Sequence, residues 1–399
     1  MTPIAKEDRL PVARAVARAA SLRSGIPSFI VMDVMAAAAA KQASGVHVIH
    51  MEVGQPSTPA PRAAREAVKR ALDTDTLGYT LALGNDALRE RIARHYRDTY
   101  GLTIPASRVI VTAGSSAAFV LAFLAAFDAG DTVLLPNPGY PCYRHILSAL
   151  GNHVHMIETG PQTRWMPTAA QITEAASQSQ ARGLLLASPA NPTGTIAKPA
   201  RLAEIAVACS RAGLWFISDE IYHGLVYGHP AQTALTYSDD AIVINSFSKY
   251  FSMTGWRIGW MVVPERLVRP IERLAQNLYI SPPAIAQVAA LAAFDGMDEL
   301  EANREVYAAN RELLLNELPK AGFTSIVPAD GAFYLYADIS HLTDDSLAFA
   351  RRMLDETGVA TTPGLDFDDG RGARFLRFSY AGTTAGMADA VRRLQAWRR

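Results

Sequence analysis

Lysine is scarce in this chain, with six lysines against 32 arginines, so a surface cation here is ordinarily an arginine. One of the six, Lys249, directly follows the apolar run AIVINSF and is flanked by hydroxyls in Ser246-Phe247-Ser248-Lys249-Tyr250-Phe251-Ser252. An amine at the end of a buried-looking strand suits chemistry that needs a deprotonable nitrogen, a task an arginine does not perform. Eight residues on, beside Gly255, Arg257 can supply charge-assisted bonds to a phosphate. The plain alternative for Lys249 is a structural salt bridge.

In open parallel sheets ligands gather at the carboxyl ends of the strands, so the polar residues that follow each apolar run come next. After RVIVT stand Ala113-Gly114-Ser115-Ser116 and a helical stretch. Small residues between a strand and a helix N-terminus let N–H groups and hydroxyls converge on an anion, although the same turn also serves simply to cap a helix. After GLLLAS comes Pro189-Ala190-Asn191-Pro192-Thr193-Gly194, where Asn191 offers an amide to a ligand or closes an Asx turn. After LWFIS comes Asp219-Glu220-Ile221-Tyr222, a carboxylate with a phenol three residues on; an N-cap aspartate is the alternative. Together these strand ends supply an amine, a carboxylate, a phenol, an amide, serines and an arginine. Pyridoxal phosphate needs a lysine for its aldehyde, a carboxylate to keep its ring nitrogen protonated, donors to its phenolic oxygen and a phosphate cradle, and the inventory fits it.

The elements that must position these residues are legible in the apolar pattern. RVIVT, TVLLP, HVHMIE, GLLLAS, LWFISDE, AIVINSF and RIGWMVV alternate with helical stretches. That pattern is α/β, a mainly parallel seven-stranded sheet covered by helices on both faces. Beyond about Ile285, long helices and the strands GAFYLYADI and ARFLRFSYA indicate a second, smaller α+β domain. The expected division is residues 1–50 as an arm and part of the small domain, 51–290 as the large cofactor-binding domain, and 291–399 as the small C-terminal domain. The arm reads as helical through VARAVARAASLRS and VMDVMAAAAAKQ, broken at Gly25-Ile26-Pro27.

Composition narrows the classes. Lys plus Arg equals Asp plus Glu at 38 each, so nothing calls for nucleic acid, an anionic membrane or a polyanion. Cys142 and Cys209 form no CxxC pair and no Cys/His cluster, which argues against a zinc site, any other metal site or a disulfide scaffold. The N-terminus lacks the apolar stretch of a secretory signal, and no window reaches the ~18 apolar residues of a membrane span. The expectation is a cytoplasmic protein.

NPTG (191–194), DEIY (219–222) and SFSKYFSMTGWRIGW (246–260), together with MEVGQP (51–56), YTLALGNDALRE (79–90) and RFS (377–379), carry a resemblance. The chain resembles the class I/II aminotransferases of the fold-type I pyridoxal-phosphate family over most of its length. The resemblance implies that Lys249 carries the cofactor as a Schiff base and acts as general base. It pairs Asp219 with the ring nitrogen, and Tyr222 and Asn191 with the phenolic oxygen. It gives the phosphate to Gly114, Ser115, Ser116, Ser246 and Arg257, and stacks Tyr140 on the ring. It sends Tyr79 to the phosphate of a neighbouring subunit, so that a homodimer shares its active sites. Arg377 grips the substrate α-carboxylate, with Arg374 as the competing candidate and with Gly54 and Asn191 close by.

The implied activity moves an amino group from an L-amino acid to a 2-oxo acid by a ping-pong mechanism. The same scaffold also supports carbon–sulfur lyases, which need no oxo acid, and non-catalytic regulators, for whose DNA-binding module the ~50 residues before MEVGQP leave no room. Members that favour acidic substrates place a lysine where Ser116 stands, and Pro56-Ser57-Thr58 departs from their usual Pro-Asp-Phe. The expected substrates are therefore neutral, apolar or aromatic amino acids rather than aspartate.

Overall fold

The computed structural model of the chain describes residues 19–397, so the part of the expected arm at residues 1–18 lies outside the described residues. In chain order the strands are β1 (Ile49–His50), β2 (Val109–Thr112), β3 (Thr132–Asn137), β4 (His153–Glu158), β5 (Gly183–Ala187), β6 (Trp215–Asp219) and β7 (Ile242–Ser246). They continue with β8 (Gly259–Val262), β9 (Ser325–Ile326), β10 (Tyr334–Asp338), β11 (Val359–Ala360), β12 (Thr362–Pro363) and β13 (Phe375–Ser379).

The seven apolar runs form one sheet in the order β2-β8-β7-β6-β5-β3-β4. β8 runs antiparallel to both β2 and β7, and every other pairing in the sheet is parallel. Every residue of β2, β7 and β8 is buried, as expected of strands covered on both faces, whereas the edge strand β4 leaves His153 and Glu158 exposed. Helix Gly114–Ala126 is apolar almost all round because it lies between β7, β8 and helix Glu265–Leu278.

The two Gly/aromatic segments become β10 and β13, paired antiparallel in a four-stranded sheet of order β12-β13-β10-β9. β1 pairs in parallel with β11, which ties the segment before MEVGQP to the C-terminal part of the chain. The Ala-rich run is a helix, Ile30–Ala43, packed on β11 and β12. Of the run VARAVARAASLRS the described residues hold the short 3-10 turn Leu22–Ser24, all of it exposed, and the part of the expected helix before residue 19 lies outside the described residues. Among the described residues no helix is long and apolar enough to cross a membrane.

Directly beneath the Lys249 segment lies an aromatic cluster. The Phe247 ring meets Phe251 at 4.8 Å, Trp260 at 4.9 Å and Phe294 at 5.5 Å, with Phe247 fully buried. Such rings set the height of the strand end that carries the lysine. Phe247→Ala is expected to cost about 3–5 kcal/mol of unfolding free energy, read as a lower denaturation midpoint in urea; a loss below about 1 kcal/mol would show that the cluster collapses around the gap.

Candidate active site

The carboxyl ends of β2, β5, β6 and β7 converge on one cavity of about 220 Å³. Its floor on one side is the first turn of helix Gly114–Ala126, where Ser115 and Ser116 line the space. Gly114 sits at φ +80, and a Cβ there would fall 2.6 Å from Arg257 Nη2. Only glycine allows the guanidinium to lie against the helix N-terminus. Arg257 is held from behind by a bond from Nη1 to the Thr254 carbonyl, 3.1 Å. A guanidinium over free helix N–H groups is a cradle for an anion.

Of the two serines before the lysine, Ser248 lines the cavity, while Ser246 lies behind it. Ser246 Oγ donates to Ile258 O at 3.0 Å and stands 2.8 Å from Ser248 Oγ. Ser246 therefore supports the cradle through its neighbour rather than facing the space itself.

Asp219 ends β6 with its carboxylate buried, accepting from Tyr143 Oη on Oδ2 and from the Ile221 N–H at 3.0 Å on Oδ1. Burial pushes its pKa up to about 6; the Tyr143 hydroxyl, the Ile221 amide and the nearby Lys249 amine hold it from rising further. Lys249 is half-buried and donates from Nζ to the Gly54 carbonyl at 2.5 Å. Burial, then the charges of Arg377 and Arg257, bring its pKa down to about 8. Tyr222 and Tyr334 share a hydroxyl hydrogen bond of 2.8 Å. A Cβ on Gly54 would overlap the Tyr334 hydroxyl at 1.6 Å, so the backbone at this position comes as close as it does because there is no side chain.

On the far side, Arg377 projects from β13, 2 % exposed. Its Nη1 donates to Asn191 Oδ1 at 2.9 Å, and its Nη2 donates to Thr362 Oγ1 at 3.1 Å and to the Glu52 carbonyl. Its Nε has no partner. Tyr334 and Phe367 rings lie 4.3 Å and 4.8 Å from the guanidinium carbon. Arg374, the competing arginine, is exposed outside the cavity.

The structure thus brings Gly54, Ser115, Ser116, Tyr140, Asn191, Asp219, Tyr222, Lys249, Arg257 and Arg377 to one space. Tyr79 is not among them and is 85 % exposed. Sequence reasoning missed Tyr143, Ser248, Tyr334 and Phe29, which also line the cavity. Tyr143 had a signal, standing one helical turn from Tyr140. A larger surface groove, about 750 Å³, lies around Trp215, Asp240 and Arg266. It sits at the start of β6, away from the strand ends, and holds no lysine.

A phosphorylated pyridine aldehyde fits the donor set: a cradle that a Cβ at Gly114 would fill, a buried carboxylate ready to share a proton, and an amine of lowered pKa. Among the described residues no group of three His, Cys, Asp or Glu side chains could hold a metal ion.

Comparison with known proteins gives the family. The family model described as aminotransferase class I and II matches residues 46–394. The valine–pyruvate aminotransferase of Mycobacterium tuberculosis is 48 % identical over 381 residues, covering 94 % of this chain and 98 % of that protein. The crystal structure of an aminotransferase from Mycobacterium tuberculosis superposes with a TM-score of 0.93 at 48 % identity, covering 96 % of this chain and 99 % of that one. The aspartate aminotransferase of Thermus thermophilus with maleate does so with a TM-score of 0.89 at 30 % identity, over 95 % of this chain and 100 % of that one.

The raised pKa of Asp219 has a thermodynamic consequence for the cofactor-free protein. A carboxyl whose folded pKa lies above its ordinary value stabilises the fold while protonated, below about pH 4, and that stability is lost as pH rises through about 6. Asp219→Asn keeps an acceptor for Tyr143 and removes the buried charge. The cofactor-free variant is expected to match the wild type below about pH 4 and to exceed it by up to about 3 kcal/mol near neutrality. Chemical denaturation across that window checks it; a variant less stable than wild type at neutral pH would contradict the buried-charge cost.

Proposed function

The chain belongs to the class I and II aminotransferases, and from that premise we propose that it transfers the amino group of a neutral, apolar L-amino acid to a 2-oxo acid, using pyridoxal phosphate held in the Lys249 cavity and a ping-pong exchange. The observation that carries the reading is the meeting, in one cavity, of an amine of lowered pKa, a buried carboxylate and an arginine with an unpartnered Nε. When bound, pyridoxal phosphate supplies an electron sink for the charge left as the substrate α-proton departs.

Each residue has a task in this proposal. Arg257, the Gly114 turn, Ser115, Ser116 and Ser248 hold the phosphate, with Ser246 behind. Asp219 holds the proton of the ring nitrogen, and Tyr143 fixes the carboxylate by donating to Oδ2. Tyr222 and Asn191 reach the phenolic oxygen, and Tyr140 lies on the ring face. Arg377 binds the substrate α-carboxylate, for which its planar fork and spare Nε are suited. Lys249 Nζ takes the α-proton; at a pKa of about 8 a useful fraction is neutral near neutral pH.

The choice of a neutral substrate is supported by the lining. Among the described residues its cations are Lys249, Arg257 and Arg377, all with tasks, which leaves none of these for a second carboxylate. The similar valine–pyruvate enzyme points the same way.

The proposal includes a homodimer that shares its sites through Tyr79. In support, Leu81, Leu278 and Ile280 are also exposed, and the Thr80 N–H donates to Ser281 Oγ at 3.4 Å, which joins the two segments into one apolar surface. It divides the chain at residues 50 and 290, in keeping with the pairing of β1 with β11. It places the enzyme in the cytoplasm, in keeping with two free thiols, Cys142 and Cys209.

The test is to load the purified protein with pyridoxal phosphate and supply valine with pyruvate. Alanine and the branched oxo acid are the expected products, with no turnover when the oxo acid is left out. Lys249→Ala should lose the visible absorbance of lysine-bound cofactor, and Arg377→Lys should lower kcat/KM on the order of 10²-fold. Absorbance unchanged in Lys249→Ala, or ammonia released from the amino acid alone, would overturn the proposal.

A further inference from the structure

Helix Ile30–Ala43 has no cap of its own, because Phe29 at its N-cap position carries no side-chain acceptor. The cap comes instead from the far end of the chain. Asp366, in the 3-10 turn Gly364–Asp366 after β12, accepts from the Ile30 N–H on Oδ1 at 3.1 Å and from the Val31 N–H on Oδ2 at 3.2 Å. A carboxylate on two first-turn N–H groups satisfies donors that would otherwise be orphaned and meets the positive end of the helix. Asp366 is 2 % exposed, and its own carbonyl accepts from Arg144 Nη2 at 3.0 Å, so the clamp is itself anchored.

What the clamp places is a wall of the cavity. Phe29, Val31 and Met32 all line it, and the Phe29 ring meets Tyr140 edge-on at 5.7 Å. Ile146 adds to the apolar lining. With the α-carboxylate assigned to Arg377 and the amine to Lys249, this wall is what remains to receive the substrate side chain.

We propose that Phe29 and Met32 form the side-chain subsite for an aliphatic amino acid, and that Asp366 is a positioning residue that fixes this wall through the first turn of the helix. The inference rests on the Lys249 cavity being the site of transamination. It assigns the preference for an aliphatic side chain over the methyl of alanine to a segment whose place is set by one carboxylate distant in sequence.

The test follows the first half-reaction alone, as the fall in lysine-bound cofactor absorbance when alanine, valine or leucine is added without an oxo acid. The quantity read is the ratio of rate constant over half-saturation for valine or leucine to that for alanine. Phe29→Ala is expected to lower this ratio about tenfold, and Asp366→Ala to lower it in the same sense. Asp366→Asn, which keeps an acceptor for the Ile30 N–H, should recover part of it. Ile30→Pro removes that N–H while leaving the carboxylate in place. Proline is at home in the first helical position, and Phe29 already has φ −84 and ψ 103, suited to a residue before proline. It should lower the ratio without lowering the melting temperature, which keeps the idea testable if Asp366→Ala does not fold. A ratio unchanged in Phe29→Ala, or an equal loss for all three amino acids in the clamp variants, would overturn the inference. Wild-type absorbance that no amino acid alters would instead overturn the reading of the Lys249 cavity, and this inference with it.

Discussion

The arrangement turns on the burial of one carboxylate. β6 is the middle strand of the seven, and Asp219 closes it at the end where the cavity lies. A charge there loses most of its hydration, and the fold answers with two donors, the Tyr143 hydroxyl and the Ile221 N–H, and with a cation, Lys249, across the space. The lysine in turn is kept from full protonation by burial and by Arg377 and Arg257. The protonation of Asp219 and of Lys249 is thus set by burial and by the charged groups around them, and neither could be moved far without changing the other. The apolar packing behind the site, from Phe247 to Trp260, keeps these groups at fixed separations.

Arg377 extends the same dependence to the second sheet. It stands on β13, yet its bonds go to Asn191 after β5, to the Glu52 carbonyl after β1 and to Thr362 on β12. The residue proposed to bind substrate is therefore also a fastening between the two sheets. A buried guanidinium needs such partners, and leaving Nε without one is a cost that an incoming carboxylate could relieve. Binding and the fit of the two sheets are in this way a single electrostatic problem.

The parts legible in the sequence are those where one physical demand acts alone. The inner strands could be read because strands covered on both faces must be apolar throughout, and the edge strand β4, exposed at His153 and Glu158, kept enough apolar residues between them to be read with the rest. Lys249 stood out because lysine is rare, and Gly114 because small residues between a strand and a helix N-terminus suit an anion; that only glycine there admits Arg257 so closely is a fact of the structure. Tyr143 was hidden because a phenol on helix Pro141–Leu150 reads as packing until its hydroxyl is seen on Asp219. Ser246 and Ser248 are equivalent in type, and only the turn after β7 decides which faces the cavity. The RFS match favoured Arg377 over Arg374, and the structure shows why three positions matter: Arg374 precedes β13 and is exposed, whereas Arg377 lies on β13 and lines the cavity. The cap from Asp366 to Ile30 was out of reach, for no local pattern announces a helix capped from the other end of the chain.

The neighbouring acids Asp219 and Glu220 show how the fold divides two like charges. Where β6 ends they part company, Asp219 turning to the cavity and Glu220 into the core. There Glu220 Oε1 accepts from the Ala234 N–H at 2.8 Å and from the Thr233 and Ser218 hydroxyls at 3.1 Å. Burial still outweighs these bonds and pushes its pKa up to about 8, so near neutral pH it is mostly protonated. Were Glu220 charged, its repulsion would push Asp219 further up and draw a proton onto the group that must stay an acceptor. Keeping the inner acid neutral leaves the outer one free to carry the charge. His223, 3.6 Å from Glu220, cannot substitute a positive charge, because its own burial lowers its pKa to about 3. The negative charge at the end of the central strand is therefore confined to the one carboxylate that faces the site.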